Sequence, residues 1–232
     1  MLVYGRNVAD EILKSDLKSV RKVIIQDGFD DKNINSILEK EKFPVIFKSK
    51  LDMDKLAKGI HQGIILDVTD YQYYDLNNIL ENDYNFVVVL DHLEDPHNLG
   101  AIIRTCEAAG VDAIIIPHDR EVQINATVMK TSAGSLSRVK VCRVSNLVNT
   151  INRLKDNGFW VVGTVMDGED FKTIDYSGKI VLVIGNEGNG MSRLVRESCD
   201  FNVTIPMYGE INSLNASVAA GIMIYEVVRN RK

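Results

Sequence analysis

Three segments in the second half of the chain combine glycine or proline with polar side chains. They are segment I (residues 95–100), segment II (residues 185–190) and segment III (residues 205–215). Each follows or ends an apolar run that is typical of a buried strand, so the polar groups stand where a strand ends. In open parallel sheets the ligand lies outside the carboxyl ends of the strands. The sequence therefore predicts that the three segments build one site at a single edge of a sheet.

Segment I supplies an amide and, further along the same helix, a cation. Asn98 is predicted to be the N-cap of a helix that covers residues 99–109. Arg104 follows six residues later, nearly two turns along, and is predicted to point toward the same edge of the sheet. A guanidinium placed there can bind a phosphate or stabilise a developing alkoxide. The alternative is an exposed arginine in a salt bridge, which contributes less than about 1 kcal/mol to stability.

Segment II is rich in glycine but fits no nucleotide-binding motif. Its order, Gly-x-x-Gly-x-Gly, differs from the dinucleotide fingerprint, and Met191 follows Gly190 where a P-loop requires a lysine. What remains is a flexible loop whose backbone can approach a ligand closely, with Glu187 as its acid. A structural turn is the alternative.

Segment III joins the end of a strand to the last helix, which is predicted to cover residues 213–229. Ser213 is predicted to cap this helix, and Leu214 and Asn215 in its first turn leave backbone groups free for a ligand. The apolar side chains of Ile205 and Leu214 suit an apolar cofactor with a soft sulfur atom better than a phosphate-rich one.

The 232-residue chain has the composition of an ordinary globular protein, with 45% apolar and 25% charged residues. No stretch approaches the roughly 20 apolar residues that cross a bilayer, and the amino terminus lacks the layout of a secretory signal. The three cysteines show neither metal-ligand nor redox spacing and are predicted to be reduced thiols of a cytoplasmic protein. The four histidines complete no metal-binding or catalytic pattern, so no metal site is predicted.

The net charge of −5 argues against a nucleic-acid-binding protein, but the cations are unevenly placed. Residues 122–155 contain neither Asp nor Glu. The cations of this window are Lys130, Arg138, Lys140, Arg143, Arg153 and Lys155. They predict a strip that faces phosphates. A solvated surface is the alternative.

Apolar runs and helical spacing divide the chain into two αβ parts. Residues 1–75 alternate short strands and helices. Strands are predicted over residues 23–26, 45–47 and 63–66, and a helix over residues 33–42. Polar and aromatic residues then indicate a linker over residues 76–85. From residue 86 onward, strand, loop and helix repeat. Strands are predicted over residues 86–90, 113–116, 139–142, 159–162, 180–184 and 203–205, and helices are predicted to begin near residues 98, 124, 145, 192 and 213. Strands this apolar are expected to be buried on both faces, in a mostly parallel sheet between helix layers.

The three segments, in this order and spacing, resemble the motifs of the SpoU branch of the SPOUT methyltransferases. Segment I with Arg104 is similar to the first motif of that family, segment II to the second and segment III to the third. This resemblance covers residues 86–232. Upstream, residues 4–11 and 61–63 resemble the L30e-like substrate-binding domain of RlmB-type enzymes, which methylate a ribose 2′-hydroxyl of large-subunit ribosomal RNA.

The resemblance implies both a fold and a reaction. The fold would be an α/β sheet with a deep trefoil knot at its carboxyl end over residues 86–232, preceded by an L30e-like domain over residues 1–75. The reaction would be methyl transfer from S-adenosylmethionine to a ribose 2′-hydroxyl of RNA, with a guanosine of 23S ribosomal RNA as the first candidate. The alternatives are a transfer-RNA 2′-O-methyltransferase, a resistance-type enzyme that methylates an adenosine of ribosomal RNA, and a non-catalytic RNA-binding module.

The resemblance also assigns roles to single residues. Arg104 would activate the 2′-hydroxyl electrostatically and position the phosphate, since a guanidinium is too basic to act as a general base. The residues that orient Arg104, the ribose and the cofactor would be Asn98, Glu187, Ser213 and Asn215. The cofactor would be bound by Thr164, Gly185, Ile205 and Leu214. Contacts to RNA are predicted for Arg6 and Asn7 from the resemblance, and for Lys130, Arg138, Lys140 and Arg143 from the charge strip. The active unit would be a homodimer in which both chains complete each site.

Overall fold

The computed structural model describes residues 1–41, 43–57 and 59–231 and contains two sheets with helices packed on them. The first sheet and its helices consist of β1 (Leu2–Tyr4), α1 (Arg6–Ser15), β2 (Val20–Gln26), α2 (Lys32–Glu41), β3 (Val45–Lys48), α3 (Lys50–Leu56) and β4 (Ile64–Val68). The strand order is β1-β4-β2-β3, with β2 and β3 parallel and the other two pairings antiparallel.

The first sheet has helices on both of its faces. The apolar stripes of α1 and α2 pack on one face, and Met53 of α3 packs on the other against Ile24 and Ile65. The predicted strands of this part and α2 are present. The structure adds β1, α1 and α3, which were not predicted, although Val8, Ile12 and Leu13 of α1 stand at helical spacing. The predicted end of α2 at Lys42, like the last residue of the chain, Lys232, lies outside the described residues.

The second sheet is formed by the rest of the chain. Its elements are α4 (Leu76–Leu80), β5 (Phe86–Asp91), α5 (Pro96–Ala109), β6 (Ala113–Pro117), α6 (Ala126–Thr131), β7 (Lys140–Val144), α7 (Leu147–Asp156), β8 (Phe159–Asp170), β9 (Lys179–Gly185), α8 (Arg193–Ser198), β10 (Phe201–Thr204) and α9 (Ala216–Asn230). The strand order is β10-β8-β9-β5-β6-β7, and these pairings are parallel. The predicted α/β fold with a mostly parallel sheet is confirmed.

Successive side chains of the strands in the second sheet point to opposite faces, so the sheet forms the middle of three layers with helices on either side. Val88 and Leu90 of β5 belong to a cluster with α5, α6 and α9, whereas Val87 and Val89 belong to a cluster with α4, α7 and α8. Every residue of β5 is buried. Burial on both faces explains why this strand is a continuous apolar run rather than an alternating one.

Two of the predicted helix caps are wrong. Asp95 caps α5, because its Oδ1 accepts a hydrogen bond from the His97 backbone N–H at 2.9 Å and Pro96 occupies the first helical position, which favours proline. Asn215 caps α9, because its Oδ1 accepts a hydrogen bond from the Ser217 N–H at 2.9 Å. Asn98 therefore lies inside the first turn of α5, and Ser213 lies in the loop before α9.

The three cysteines are free thiols. Cys106 and Cys142 are buried, and burial raises the pKa of Cys142 and of the half-buried Cys199 to about 12. These thiols remain protonated at neutral pH and are poor nucleophiles. Among the residues that the structure describes, no helix has the length and apolar character of a membrane span.

Candidate active site

One side chain from each of the three segments meets at the carboxyl edge of the second sheet. The Asn98 Nδ2 donates a hydrogen bond to Glu187 Oε1, and the Asn98 Oδ1 accepts one from Asn215 Nδ2 at 3.0 Å. Asn98 is only 7% exposed, so its amide is held between the two loops. The structure thus brings together three of the residues predicted to orient the ribose and the cofactor.

Segment II is a tight turn closed by its own backbone. The N–H of Asn186 donates to the Gly190 carbonyl at 3.0 Å, and the N–H of Gly190 donates back at 2.9 Å. The Asn186 side chain accepts a hydrogen bond from the Gly188 N–H at 2.8 Å and donates one to the His92 carbonyl at 2.7 Å. The turn therefore fixes the position of Glu187 and attaches segment II to the loop that precedes α5.

A cavity of about 720 Å³ opens beside segment II. All four predicted cofactor residues line it, and so do Glu187 and Ser213. The Thr164 hydroxyl donates a hydrogen bond to the Val183 carbonyl at 2.9 Å. Because this hydroxyl is already bonded, Thr164 would contact a ligand through its backbone. Asp167 and Arg196 form an ion pair of 3.0 Å at the wall of this cavity. No pattern in the sequence indicates that pair, since both residues look like ordinary surface charges.

Arg104 lies on the exposed side of α5 and does not line this cavity. Six residues are about one and two-thirds turns of helix, so Arg104 and Asn98 point to different sides of α5. Within the described residues its guanidinium makes neither a hydrogen bond nor an ion pair. A single chain therefore leaves this cation free to meet an anion from outside the chain.

Two buried acidic side chains, Asp91 and Glu121, accept hydrogen bonds from backbone N–H groups near the loop between β5 and α5. Asp91 is fully buried at the end of β5; its Oδ2 accepts a hydrogen bond from the Ser192 N–H at 2.6 Å, and its Oδ1 contacts the His92 imidazole. Glu121, which is 8% exposed, accepts a hydrogen bond from the Leu93 N–H at 2.7 Å. Sequence reasoning missed these groups; the available signal was an acid placed directly after the apolar run of β5.

Burial, with a smaller contribution from the nearby Asp91 and Glu187 carboxylates, raises the pKa of Glu121 to about 8. Between about pH 4.5 and pH 8 the folded protein therefore holds a proton at this position that the unfolded chain releases. Stability contributed by this group falls as the pH rises through that window.

We expect Glu121→Gln to remove this pH dependence. We compare the free energy of unfolding of the variant with that of the wild type at each pH. The difference should shift in favour of the variant by about 2–4 kcal/mol between pH 5 and pH 8. Urea unfolding at four pH values in this range measures the difference. Glu94→Gln, which removes an exposed carboxyl from the same loop, should leave the wild-type slope in place. Parallel wild-type and Glu121→Gln curves would contradict the assignment.

Of the two RNA contacts predicted in the first part, Arg6 lines a small cavity and Asn7 does not. The Arg6 guanidinium lies 4.9 Å from the centroid of the Phe29 ring, and its Nε donates to the Gln62 carbonyl at 3.3 Å. Arg6, Phe29 and Gln62 line a cavity of about 370 Å³. Asn7 lies beside Arg6 on α1 and is exposed.

The predicted strip of cations meets aromatic rings and carboxylates of preceding parts of the chain. Lys130 lies 5.7 Å from the Tyr4 ring, Lys140 lies 4.6 Å from the Tyr84 ring, and Arg143 lies 4.5 Å from the Tyr73 ring. Arg138 forms ion pairs with Glu107 at 2.9 Å and with Glu11 of α1 at 3.3 Å. These cations thus help to hold the first sheet and the connecting segment on the second sheet, and their contact with RNA stays a prediction.

Comparison with known proteins identifies two family models that match the chain. The sequence model of the SpoU rRNA Methylase family matches residues 85–225, and that of RNA 2′-O ribose methyltransferase substrate binding matches residues 2–74. A protein of Staphylococcus epidermidis named as a TrmH family tRNA/rRNA methyltransferase is 45% identical over 242 residues, which cover 100% of this chain and 96% of that protein.

Two solved structures resemble the chain to different extents. The SpoU methyltransferase AviRb of Streptomyces viridochromogenes, in complex with the cofactor AdoMet, is 27% identical with a TM-score of 0.81, and covers 99% of this chain and 89% of its own. The A. aeolicus TrmH/SpoU tRNA modifying enzyme is 34% identical with a TM-score of 0.58. That match covers 67% of this chain and 83% of its own.

Proposed function

Because the chain belongs to the SpoU rRNA methylase family, we propose that it transfers the methyl group of S-adenosylmethionine to a ribose 2′-hydroxyl of RNA. The observation that carries the proposal is the junction of Asn98, Glu187 and Asn215 beside a cavity lined by the predicted cofactor residues. The substrate-binding model that matches residues 2–74 is described for RNA 2′-O ribose methyltransferases and supports the choice of acceptor.

The cavity beside segment II suits the proposed cofactor in size and chemistry. Its volume of about 720 Å³ lies in the usual range for small-molecule sites. Gly185, Ile205 and Leu214 would bind the cofactor through their backbone groups, and the bound sulfonium would supply an electrophilic methyl group. AviRb, which resembles this chain over nearly its whole length, was solved with AdoMet.

The side chains of this chain would prepare the acceptor. A ribose hydroxyl is a weak acid that must release its proton to solvent as its oxygen takes the methyl group from the sulfonium, which leaves as the neutral thioether. Its attack therefore needs stabilisation of the developing alkoxide. The Arg104 guanidinium would bind the adjacent phosphate, which would place its positive charge beside the 2′-oxygen. Asn98 and Asn215, whose side-chain amides are hydrogen-bonded to each other, would hold the ribose against the cofactor cavity together with Glu187. Ser213 lines the wall of that cavity.

We propose a guanosine of 23S ribosomal RNA as the substrate. The tRNA modifying enzyme resembles only 67% of the chain, whereas AviRb resembles 99% of it. Residues 2–74 match a separate family model, that of RNA 2′-O ribose methyltransferase substrate binding. Mapping of ribose methylation in total RNA, with and without the gene, tests the choice. Loss of one methylation in 23S ribosomal RNA is expected. Loss of a transfer-RNA methylation instead would overturn the ribosomal assignment and favour the transfer-RNA alternative, and an adenosine target would favour the resistance-type one.

The same proposal includes the organisation of the chain. We propose an RNA-binding domain over residues 1–75, a linker over 76–85 and a methyltransferase domain with a trefoil knot over 86–232. The separation of the two sheets in sequence and the likeness to AviRb over 99% of the chain support this division. A cytoplasmic location follows from the proposed ribosomal substrate.

We also propose that the protein is a homodimer through α9. Val218, Ile222 and Tyr225 lie on one side of this helix at helical spacing, and they are 50%, 37% and 51% exposed. A second copy of the chain would cover this apolar face, and the neighbouring segment III would then lie at the interface. A dimer would also allow both chains to complete each site.

We expect Ile222→Asp to convert the dimer to a monomer, because a carboxylate in an apolar interface has no partner there. Sedimentation velocity at micromolar protein concentration measures the change. Leu194→Asp is the matched control, since Leu194 is 56% exposed on α8 at the opposite face of the sheet and should leave the dimer intact. A wild-type protein that is active and sediments as a monomer would contradict the dimer.

A further inference from the structure

A second cavity, of about 750 Å³, lies on the other side of segment II from the proposed cofactor cavity. It opens after the carboxyl ends of β5, β6 and β9. Its lining residues are His92, Glu94, Arg120, Glu121, Val122, Asn186, Asn189, Gly190, Met191, Ser192 and Arg193. Asn186, Asn189, Gly190 and Met191 line both cavities, so segment II and the adjoining Met191 lie between them.

The second cavity contains a buried polar group with unused hydrogen-bonding capacity. The Oε2 of Glu121 accepts the Leu93 N–H, but the Oε1 is buried and has no partner among the described residues. A buried oxygen without a partner is costly, and a ligand that hydrogen-bonds to it would remove that cost. His92, whose imidazole rests on the buried Asp91 carboxylate, is 30% exposed at the same cavity.

The mouth of the cavity is charged. Arg120 and Arg193 are exposed at its rim, together with Glu94, and Arg193 forms an ion pair of 3.0 Å with Glu197. These two exposed cations and the buried Glu121 carboxyl are complementary to a nucleotide, whose phosphate is anionic and whose base carries hydrogen-bonding groups on its edge.

We propose that this second cavity binds the base of the nucleotide whose ribose is methylated, with Glu121 contacting the base edge and Arg120 and Arg193 contacting the flanking phosphates. The inference rests on the proposed function. A base in this cavity would place its ribose over segment II, beside Glu187 at the edge of the cofactor cavity. The target nucleotide must then leave its stack, as for other enzymes that act on single nucleotides. Glu121 is thereby a residue that determines specificity for the base.

The first test measures nucleotide binding without any methyl transfer. Saturation-transfer NMR would use the wild type with S-adenosylhomocysteine and each of the four nucleoside 5′-monophosphates at millimolar concentration. We expect transfer to the base protons of at least one nucleotide, and its loss in Ser192→Trp. Ser192 lines the cavity, is exposed, and makes no side-chain capping bond, so its replacement fills the cavity without removing a contact of the fold.

Leu194→Trp is the matched control, because it adds the same ring two residues further along the chain, in α8 and outside the cavity. It should bind the nucleotide like the wild type. Absence of transfer in the wild type, or equal transfer in Ser192→Trp, would overturn the inference whether or not the protein methylates RNA.

The second test uses methylation of the mapped RNA. Ser192→Trp should lower kcat/KM for RNA by at least about 30-fold while S-adenosylhomocysteine binds as in the wild type. Glu121→Gln should change the ratio of kcat/KM among transcripts that carry different bases at the target position by about tenfold. An equal loss on all transcripts would reduce Glu121 to a support of the loop and overturn its role in base selection. A wild type that methylates no RNA, yet binds the nucleotide in the first test, would contradict the proposed function and not the cavity.

Discussion

Arg104→Ala is expected to lower the rate of methyl transfer by about 10²–10³-fold or more, while S-adenosylmethionine binds with nearly wild-type affinity. Arg104 makes no contact with the cofactor cavity and forms no ion pair within the described residues. Its loss therefore leaves the cofactor residues in place and removes only the cation that is proposed to face the RNA phosphate. Single-turnover methylation measures the rate, and isothermal titration measures cofactor affinity.

Arg104→Lys distinguishes charge from shape at this position. Lysine keeps the positive charge but cannot form the paired hydrogen bonds of a guanidinium with a phosphate. We expect a rate between those of the wild type and Arg104→Ala. A parallel loss of cofactor binding and methyl transfer in Arg104→Ala would show that the residue supports the fold of the site, and the proposed division of roles would then fail.

The meeting of the three segments could be predicted because each polar residue follows an apolar strand of a parallel sheet. Asn98, Glu187 and Asn215 are far apart in sequence, yet the carboxyl ends of parallel strands lie at one edge. The six-residue spacing gives the orientation of Arg104 relative to Asn98 only if both residues lie inside the helix, and that depends on where α5 begins. Asp95 and Pro96 start this helix three residues earlier than an Asn98 cap would.

Helix starts and strand ends were less predictable because local signals compete. Both Ser213 and Asn215 can cap α9, and the sequence offers no reason to prefer Asn215 until its amide is seen to bond Asn98 as well. β8 was predicted to end at residue 162 but continues to Asp170, because its polar second half pairs with β10. A neighbouring strand, not the composition of β8, sets that length.

The buried acids behind the site could not be predicted in the same way. Asp91 and Glu121 look like surface carboxylates in the sequence, and only the fold places backbone N–H groups of Ser192 and Leu93 against them. A carboxyl is tolerated in the interior only with such partners. These residues therefore belong to the part of the site that tertiary structure creates, although they adjoin segments that sequence patterns identify.

Gly185→Ala is expected to abolish cofactor binding, with a loss of affinity greater than about 100-fold. A Cβ at Gly185 would overlap the backbone of Gly190 and Met191 and would lie 2.8 Å from the Gly190 carbonyl oxygen. Backbone atoms cannot move aside as the end of a flexible side chain can, so the turn of segment II would have to open. That movement displaces the wall of the cofactor cavity and the position of Glu187.

Gly188→Ala is the matched control in the same turn. A Cβ at Gly188 would approach only the Asn186 Oδ1, at 3.4 Å, which is an ordinary contact. This variant should bind S-adenosylmethionine and methylate RNA within about threefold of the wild type. Isothermal titration and single-turnover methylation on both variants decide the matter. If Gly185→Ala bound the cofactor as well as Gly188→Ala did, the cavity beside segment II would not be the methyl-donor site, because the closed turn that forms its wall would then be dispensable.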